Sequence, residues 1–223
     1  MSDRWATFDC YGTLIDWNGG IRGVFRRLWP EADVERLLRR YHAVEPLVQE
    51  GHALAYREVG ARTLRAIAAI EALSLREGAD EYALAESLPS WPIFTDVPPA
   101  LRELKRNGWR LGILSNTDPD LLDASIQQFG VPIDLRITAA EAGSYKPAHG
   151  HWQRFADLSG ADRTRHVHVG ASVFHDIAPS DALGITAVWI NRLDEQSDLP
   201  YAAELPDLSA LPTTLEHLIP PRS

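Results

Sequence analysis

Side chains that can take part in catalysis follow short apolar segments of this sequence. The carboxylate of Asp9 comes directly after the β-prone residues 5–8, and Gly12 and Thr13 then supply a turn. Asp9 is therefore expected at the carboxyl end of a buried strand, which is where ligands bind in open α/β sheets. The same residues leave a second interpretation open, in which Asp9 only caps a turn or a helix.

Three later segments have a similar arrangement. A second apolar run ends in the hydroxyl of Ser115 and the amide of Asn116. Lys146 follows the strand-like residues 135–138 and stands just before a proline, which breaks regular structure. Asp176 comes after a further strand-like segment. Polar side chains thus occur in the order Asp, Ser, Lys, Asp, each after a predicted strand.

The elements that must position these side chains alternate between helix and strand after residue 92. The predicted strands cover residues 110–115, 135–138, 166–170 and 185–190, and the predicted helices cover residues 98–107, 119–129, 149–158 and 176–183. Such alternation predicts an α/β fold, in which a parallel sheet has helices on both faces. The polar residues 194–201 are predicted to form a loop.

The region between the first strand and residue 92 has a different pattern. Residues 34–48 and 56–73 have helical spacing, residues 80–87 are a third candidate helix, and no segment is a convincing strand. We therefore predict an α/β core domain formed by residues 1–15 and 93–223, interrupted by a helical domain of residues 16–92.

Composition limits the partners and the location of the protein. The 223 residues, 45% of them hydrophobic, can bury a full core, and the net charge of -9 argues against nucleic acid as a partner. No apolar run approaches the roughly 20 residues of a membrane span. The single cysteine permits no internal disulfide, and with no apolar leader segment at the N-terminus it predicts a cytoplasmic protein.

The four motifs together resemble those of the haloacid dehalogenase superfamily. They are FDCYGTL at residues 8–14, LSN at residues 114–116, SYKP at residues 144–147, and the final Asp176. The resemblance implies a Rossmann-like parallel sheet sandwiched by helices, with an inserted α-helical cap. Such a cap closes over the strand ends and excludes water, which suggests a small substrate.

Two positions distinguish this chain from the phosphatases of the superfamily. Those enzymes carry an acid two residues after the nucleophile and an acidic residue in the last motif that helps to hold Mg²⁺, whereas Tyr11 and Ala171 stand here. A phenol with a pKa of about 10 is a poor general acid, and a missing carboxylate thins the oxygen shell of the metal. The pattern instead resembles the type II L-2-haloacid dehalogenases, which use neither a metal nor another cofactor.

The resemblance implies a covalent mechanism. In that family an aspartate displaces halide from the α-carbon of a small carboxylate, and water then hydrolyses the resulting ester. Halide needs no proton to leave, so Tyr11 is no handicap. Asp9 would be the nucleophile, Lys146 would hold it ionised, and Thr13 would steady the nucleophile loop or simply belong to its turn.

The resemblance also implies which residues bind the small anionic substrate. They are the hydroxyl of Ser115 and the backbone N–H groups after the nucleophile for the substrate carboxylate, Asn116 for the halide, and a cap arginine. Adjacent helical residues point about 100° apart, so at most one of Arg39 and Arg40 faces the site, and the family pattern favours Arg40. The predicted substrate-binding residues are therefore Cys10, Tyr11, Arg40, Ser115 and Asn116.

Two residues are candidates for handling the hydrolytic water. Asp176 would orient or activate it, or would instead cap the following helix. The characterised dehalogenases place a Ser and an Asn where this chain has Ala171 and Val173, so His175, whose imidazole titrates near neutral pH, is a candidate replacement base. The alternative for His175 is a structural histidine at the start of a helix. The histidines at 149, 151, 166 and 168 are predicted to be structural.

Other functions stay open at this stage. The segments FDCYGTLIDW and SYKP and the pair His175-Asp176 also resemble the azetidine-2-carboxylate hydrolases, which open a strained C–N ring. A Mg²⁺-dependent phosphatase is disfavoured, and a non-catalytic binding protein would need none of the four motif residues in register. A homodimer is a further open expectation, because seven tryptophans permit an apolar contact without locating one.

Overall fold

The computed structural model describes residues 3–49 and 54–222. The chain divides into two compact units, which we call the sheet unit and the helical unit. The helical unit comprises Asp16–Pro92 and Thr117–Ser125, and the sheet unit comprises Met1–Ile15, Ile93–Asn116 and Ile126–Ser223. The role of residues 16–92 as a cap that excludes water stays a prediction.

Four helices form most of the helical unit. They are α1 (Trp17–Leu28), α2 (Val34–Gln49), α3 (Tyr56–Ile70) and α4 (Ala83–Ser87). The side chain of Asp16 caps α1 by accepting a hydrogen bond from the backbone N–H of Gly19 at 2.9 Å. Gly20 is required inside α1, because a Cβ atom there would lie 2.1 Å from the Trp91 ring.

The segment Thr117–Ser125 belongs to the helical unit, although the sequence pattern placed it in the core domain. The reason is the carboxylate of Asp118, which accepts hydrogen bonds from the backbone N–H groups of Tyr56 at 2.8 Å and Arg57 at 3.0 Å. These N–H groups open α3 and have no partner within the helix, so Asp118 takes the place of an N-cap side chain.

The sheet unit is built on six parallel strands, which confirms the predicted α/β fold class. The strands are β1 (Trp5–Phe8), β2 (Arg110–Ser115), β3 (Leu135–Thr138), β4 (His166–Gly170), β5 (Thr186–Ile190) and β6 (Ala203–Leu205). Their order in the sheet is β3-β2-β1-β4-β5-β6. The order changes direction between β1 and β4, so right-handed crossovers put the helices on opposite faces and open a crevice at that point.

Six further helices complete the described chain. They are α5 (Val97–Arg106), α6 (Pro119–Ile126), α7 (Ala139–Ala142), α8 (Gly150–Ser159), α9 (Ala178–Ala182) and α10 (Leu211–Leu218). All four residues of β1 are buried, as expected for a central strand of a parallel sheet with both faces covered. In the part of the chain that the structure describes, no helix is both long and apolar enough to cross a membrane.

Candidate active site

One ammonium group joins two carboxylates beyond the ends of β1 and β4. The Lys146 Nζ atom lies 2.8 Å from Oδ1 of Asp9 and 2.7 Å from Oδ1 of Asp176. The side chains of Lys146 and Asp176 are 2% and 0% exposed, whereas that of Asp9 is 13% exposed. Asp9 is therefore the member of this charged cluster that solvent can reach.

The three groups shift one another's pKa values. Burial opposes ionisation of Lys146, but the attraction of Asp176 and Asp9 outweighs it and raises the pKa of the ammonium group. Burial also opposes ionisation of Asp176, but Lys146 and His168 lower the pKa of its carboxyl. For Asp9, burial prevails over Lys146, and its pKa is raised. Asp9 is thus the more basic carboxylate, which favours it as the nucleophile.

Thr13 fixes the second oxygen of Asp9. Its hydroxyl donates to Asp9 Oδ2 at 2.8 Å and accepts the backbone N–H of Ala171 at 2.9 Å. The Thr13 carbonyl in turn accepts hydrogen bonds from Nη2 and Nε of Arg192, at 3.0 and 3.2 Å, and Arg192 is paired with Asp96 at 2.7 Å. The loop that follows Asp9 is therefore held from both sides, and the sequence pattern gave no indication of Arg192.

Asp176 lies in a π-helical turn, Val173–Ile177, that follows β4. Ser172 caps this turn, because its Oγ accepts the backbone N–H of His175 at 3.0 Å. The backbone N–H of Ser172 donates to Asp176 Oδ2 at 3.1 Å, so the interpretation of Asp176 as a helix N-cap is wrong. Gly170 is required for this packing, since a Cβ atom there would lie 2.5 Å from the Asp176 side chain.

His175 is half-buried beside this turn. Its Nδ1 atom lies 3.0 Å from the Ser172 hydroxyl oxygen, and burial lowers the pKa of the imidazole below its ordinary value. The ring is therefore neutral near pH 7 and has a nitrogen that can accept a proton. The backbone N–H of His175 also donates to the Ser172 side chain. His175 therefore has a structural role in the turn, while its ring can still act as a base.

Ser115 ends β2, and Asn116, which follows it, lies next to Lys146. The Asn116 side chain accepts the Lys146 backbone N–H at 2.7 Å and donates to the Lys146 carbonyl at 3.1 Å. Asn116 therefore fixes the segment that carries the lysine, while its predicted contact with halide stays a prediction. Ser115 is buried, and its carbonyl lies 3.0 Å from Nε2 of His151. Its predicted contact with the substrate carboxylate also stays a prediction.

Cys10 and Tyr11 form a tight turn after Asp9. The Cys10 carbonyl accepts hydrogen bonds from the backbone N–H groups of Leu14 and Ile15, at 2.8 and 3.0 Å. Gly12 has a φ of 96°, a conformation that favours glycine. The Cys10 thiol is buried, and burial together with the negative charge of Asp9 raises its pKa well above the ordinary value. Substrate contacts of Cys10 and Tyr11 stay predictions.

Arg40 lies on α2 in the helical unit. Its Nε atom is 3.1 Å from Oε1 of Glu71, and Arg36 binds the other oxygen of the same carboxylate at 2.7 Å. Arg39 is exposed. The structure therefore gives Arg40 an ion pair within its own unit, and its predicted role in substrate binding stays a prediction.

Sequence reasoning missed a contact of His168, which it had set aside as structural. The Nε2 atom of His168 lies 3.4 Å from Asp176 Oδ1, and its Nδ1 atom lies 2.9 Å from the hydroxyl oxygen of Thr7. Thr7 pairs with His168 in the sheet, and side chains two residues apart on a strand share a face. The sequence did hold a signal of this contact, because His166 and His168 alternate with apolar residues and therefore share one face of the strand.

No metal site is evident in the described part of the chain. Among residues 3–49 and 54–222, no group of three or more His, Cys, Asp or Glu side chains is arranged to hold a metal ion. The positive charge next to Asp9 is the ammonium group of Lys146.

Comparisons with known proteins agree with the geometry. The model of the haloacid dehalogenase-like hydrolases matches residues 4–184. The chain is 27% identical over 236 residues to (S)-2-haloacid dehalogenase 1 of Pseudomonas sp. (strain CBS-3), covering 96% of this chain and 97% of the relative. It is 26% identical over 202 residues to (S)-2-haloacid dehalogenase of Pseudomonas sp. (strain YL), covering 83% and 81%. The crystal structure of the L-2-haloacid dehalogenase RSc1362 shares the fold, with a TM-score of 0.86, 24% identity, and coverage of 97% and 100%.

Proposed function

Because the chain belongs to the haloacid dehalogenase-like hydrolases, we propose that it hydrolyses the carbon–halogen bond of small 2-haloalkanoic acids to give 2-hydroxyacids. Relatives that match most of the chain are named (S)-2-haloacid dehalogenases. The observation that carries the proposal is the state of Asp9, a carboxylate with a raised pKa that is partly exposed. Lys146 and Thr13 hold its two oxygens at 2.8 Å each.

In the first step a carboxylate oxygen of Asp9 attacks the α-carbon of the substrate. A carbon–oxygen bond forms, the carbon–halogen bond breaks, and the halide leaves with the electron pair. Halide is a weak base, so the absence of a carboxylic acid at Tyr11 and Ala171 does not impede its departure.

Ester formation also relieves the charge imbalance of the site. Before reaction, Asp9 and Asp176 share the single ammonium group of Lys146, which leaves one buried negative charge in excess. Once Asp9 is esterified it is neutral, and Lys146 and Asp176 balance each other. Since unbalanced buried charge is costly, this arrangement favours the covalent intermediate.

In the second step water attacks the carbonyl carbon of the ester. The Lys146 ammonium and the Thr13 hydroxyl, which bind the Asp9 oxygens, stabilise the oxyanion that forms. The tetrahedral intermediate then collapses: the bond between the Asp9 carboxyl carbon and the substrate oxygen breaks, and the departing alkoxide takes a proton from the protonated His175 to give the 2-hydroxyacid. Asp9, which now holds one oxygen from water, releases a proton and is restored as the carboxylate. No metal ion takes part in this proposal, because Lys146 provides the positive charge.

His175 accepts the proton of the attacking water in this proposal. Asp176 is a poor base, since its pKa is lowered and its oxygens are engaged with Lys146, His168 and the Ser172 backbone. Asp176 therefore holds Lys146 in place. The neutral imidazole of His175 has the protonation state that a general base requires.

A substrate panel tests the activity and its rivals. Halide release is measured with both enantiomers of 2-chloropropionate and with fluoroacetate, ring opening with azetidine-2-carboxylate, and phosphate release with p-nitrophenyl phosphate, each with and without Mg²⁺. We expect halide release that is insensitive to Mg²⁺ and that is lost in Asp9→Asn. Activity confined to the phosphate ester with Mg²⁺, or to azetidine-2-carboxylate, would overturn the proposal.

A single-turnover experiment in ¹⁸O-labelled water tests the ester. With enzyme in excess over (S)-2-chloropropionate, the label should enter the peptide that contains Asp9, and the first 2-hydroxyacid formed should be unlabelled. Label that appears directly in the product would show that water attacks the α-carbon and would exclude Asp9 as the nucleophile.

A further inference from the structure

A series of buried hydrogen-bonding side chains leads from β4 through β1 to Asp176. Nε2 of His166 lies 2.7 Å from the hydroxyl oxygen of Thr7, which lies 2.9 Å from Nδ1 of His168. Nε2 of His168 then lies 3.4 Å from Oδ1 of Asp176. All four side chains are buried, so each polar atom depends on the next for its hydrogen bond.

For a neutral His168 ring, the direction of every hydrogen bond in this series follows from its last member. The Asp176 carboxylate can only accept, so His168 must carry a proton on Nε2. In a neutral imidazole Nδ1 is then unprotonated and accepts from the Thr7 hydroxyl. The Thr7 oxygen has donated its only proton, so it accepts from Nε2–H of His166. Burial lowers the pKa of His166 to about 3, which agrees with a neutral ring at the start of the series.

We infer that His166, Thr7 and His168 form a one-directional hydrogen-bond relay that positions Asp176 and, through it, the Lys146 ammonium beside Asp9. His168 is a positioning residue, because it contacts neither Asp9 nor the substrate in this scheme. The inference rests on the proposed function only in naming Asp9 as the nucleophile that Lys146 serves.

The relay matters because two groups share one oxygen of Asp176. Oδ1 accepts from Lys146 at 2.7 Å and from His168 at 3.4 Å, while the second oxygen is bound by the Ser172 backbone. If His168 no longer donates, Asp176 depends more strongly on Lys146 and draws the ammonium away from Asp9. Ester formation then slows, whereas substrate binding is unaffected.

Neighbouring rings hold the relay in place. The Trp152 ring packs edge-on against His168 with their centroids 5.2 Å apart, and the Phe155 ring lies 4.6 Å from that of His166. In the sheet, His168 pairs with Thr7 and His166 pairs with Trp5, which fixes the spacing of the three polar residues. The rings are therefore oriented before any substrate arrives.

The tautomers are tested directly by NMR, independently of activity. Two-bond ¹H–¹⁵N correlation spectra of the ¹⁵N-labelled protein at pH 7 should show His166 and His168 as neutral rings protonated on Nε2. A His168 ring protonated on Nδ1, or a doubly protonated ring, would overturn the relay. Because the spectra need no substrate, a failed dehalogenase assay with these tautomers would reject the proposed function and retain the relay.

Matched valine substitutions test what the relay does. Thr7→Val keeps the shape and removes the hydroxyl, whereas Thr63→Val is a control at a buried threonine whose hydroxyl has no hydrogen-bond partner. We expect Thr7→Val to lower kcat about tenfold with KM within about twofold, and to let His168 take the Nδ1–H tautomer. Thr63→Val should retain kcat, and Thr7→Ser should recover it.

The opposite results are equally informative. A Thr7→Val protein that keeps the wild-type kcat and the Nε2–H tautomer of His168 would overturn the relay. A Thr7→Val protein that raises KM and leaves kcat unchanged would assign Thr7 to substrate binding instead. Were Thr7→Val not to fold, the kcat of Thr7→Ser and the tautomers of the wild-type protein would decide between these outcomes.

Discussion

Ion pairs of nearly equal length occur in both units of this protein, but their surroundings differ. On α3 of the helical unit, Arg62 lies 2.8 Å from Glu58, and the arginine side chain is 44% exposed. In the sheet unit Lys146 lies 2.8 Å from Asp9 and 2.7 Å from Asp176, and the lysine is 2% exposed. Distance alone therefore does not distinguish a surface pair from the candidate catalytic cluster.

The two sites differ in whether water can solvate the charged groups when an ion pair is broken. Around Arg62 water solvates both partners when the pair opens, so such pairs contribute about 0–1 kcal/mol. Around Lys146 water is largely excluded, so removal of one charge leaves the others buried without a partner of opposite charge. Burial raises the pKa of Asp9. It also opposes ionisation of Asp176, but Lys146 and His168 outweigh it and lower the pKa of that carboxyl, so two chemically identical side chains differ in basicity.

The largest effect is expected from Lys146→Met. It leaves two carboxylates unpaired in a buried site, so we expect a loss of about 3–5 kcal/mol in the free energy of unfolding and no measurable turnover. The matched surface substitution, Arg62→Met, should cost about 0.5 kcal/mol or less. Urea denaturation of both variants measures the difference. Equal losses would remove the distinction between buried and exposed pairs.

Acid sensitivity should also originate in the sheet unit. Burial lowers the pKa of His151 to about 4, whereas an unfolded histidine titrates near 6.5. The unfolded state therefore binds more protons as the pH falls, and stability that is complete above about pH 6.5 is lost towards pH 4, by about 3 kcal/mol. Denaturation from pH 7 to 4 measures this loss.

Substitution of one buried and one exposed histidine provides the control for acid sensitivity. His151→Gln should make the decline in stability between pH 6.5 and 4 shallower but not abolish it, because one ring that resists protonation is gone while His166, whose pKa burial lowers to about 3, remains. His217→Gln, at an exposed position of α10, should leave the slope unchanged. Parallel slopes for the two variants would show that His151 is not a source of the acid sensitivity.

The pH dependence of turnover tests the shifted groups of the site. Asp9 must be ionised to attack. Because its pKa is raised, it loses its proton at a pH above the ordinary value of about 4. His175 must be neutral to accept a proton. Because its pKa is lowered, the ring becomes neutral at a pH below about 6.5. We therefore expect kcat to fall with decreasing pH between about 6.5 and 4. An acidic limb centred above pH 7 would contradict the assignment of His175 as the base.

Arg40 allows a direct comparison of two possible roles. If it binds the substrate carboxylate, Arg40→Met should raise KM for 2-chloropropionate about tenfold, whereas Arg39→Met should not. If its ion pair with Glu71 is its whole role, both variants should have the wild-type KM. Steady-state kinetics of the two variants distinguishes these roles, and only the first outcome supports the predicted substrate contact.

The smallest effect is expected for the surface pair itself. A double-mutant cycle on Glu58 and Arg62, which are four residues apart on α3, should give a coupling free energy of about 0.5 kcal/mol or less. Added salt should reduce it further. A coupling above about 2 kcal/mol would mean that exposed pairs in this protein are as strongly coupled as buried ones.

The parts of the fold that the sequence predicted share a simple origin. Strands β1 to β5 are apolar runs, and their ends are marked by polar residues or glycine, so the predicted order of elements and the α/β class are confirmed. Asp9, Lys146 and Asp176 each follow such a run, and the resemblance of these motifs to the superfamily implied that Lys146 would lie against Asp9, as the structure shows.

The missed elements lack these local signals. Helix α1 contains three glycines, which lower helix propensity, and it forms because Asp16 caps it and Gly20 admits the Trp91 ring. Strand β6 has only three residues, too few for a period to be seen. The contact of His168 with Asp176 depends on the register of β4 and on the π-helical turn, and neither can be read from residue types.

The burial of Cys10 has a consequence for survival of the enzyme in contact with its proposed substrates. Haloacids are alkylating agents, and thiolates are the protein groups that they modify most readily. The only cysteine of the chain adjoins Asp9, but its thiol is fully buried and its raised pKa keeps it protonated. In the proposed mechanism, a haloacid that reaches this site therefore alkylates the carboxylate of Asp9, and water can hydrolyse the resulting ester. The buried thiol of Cys10 is not alkylated, and a thioether formed there would be permanent.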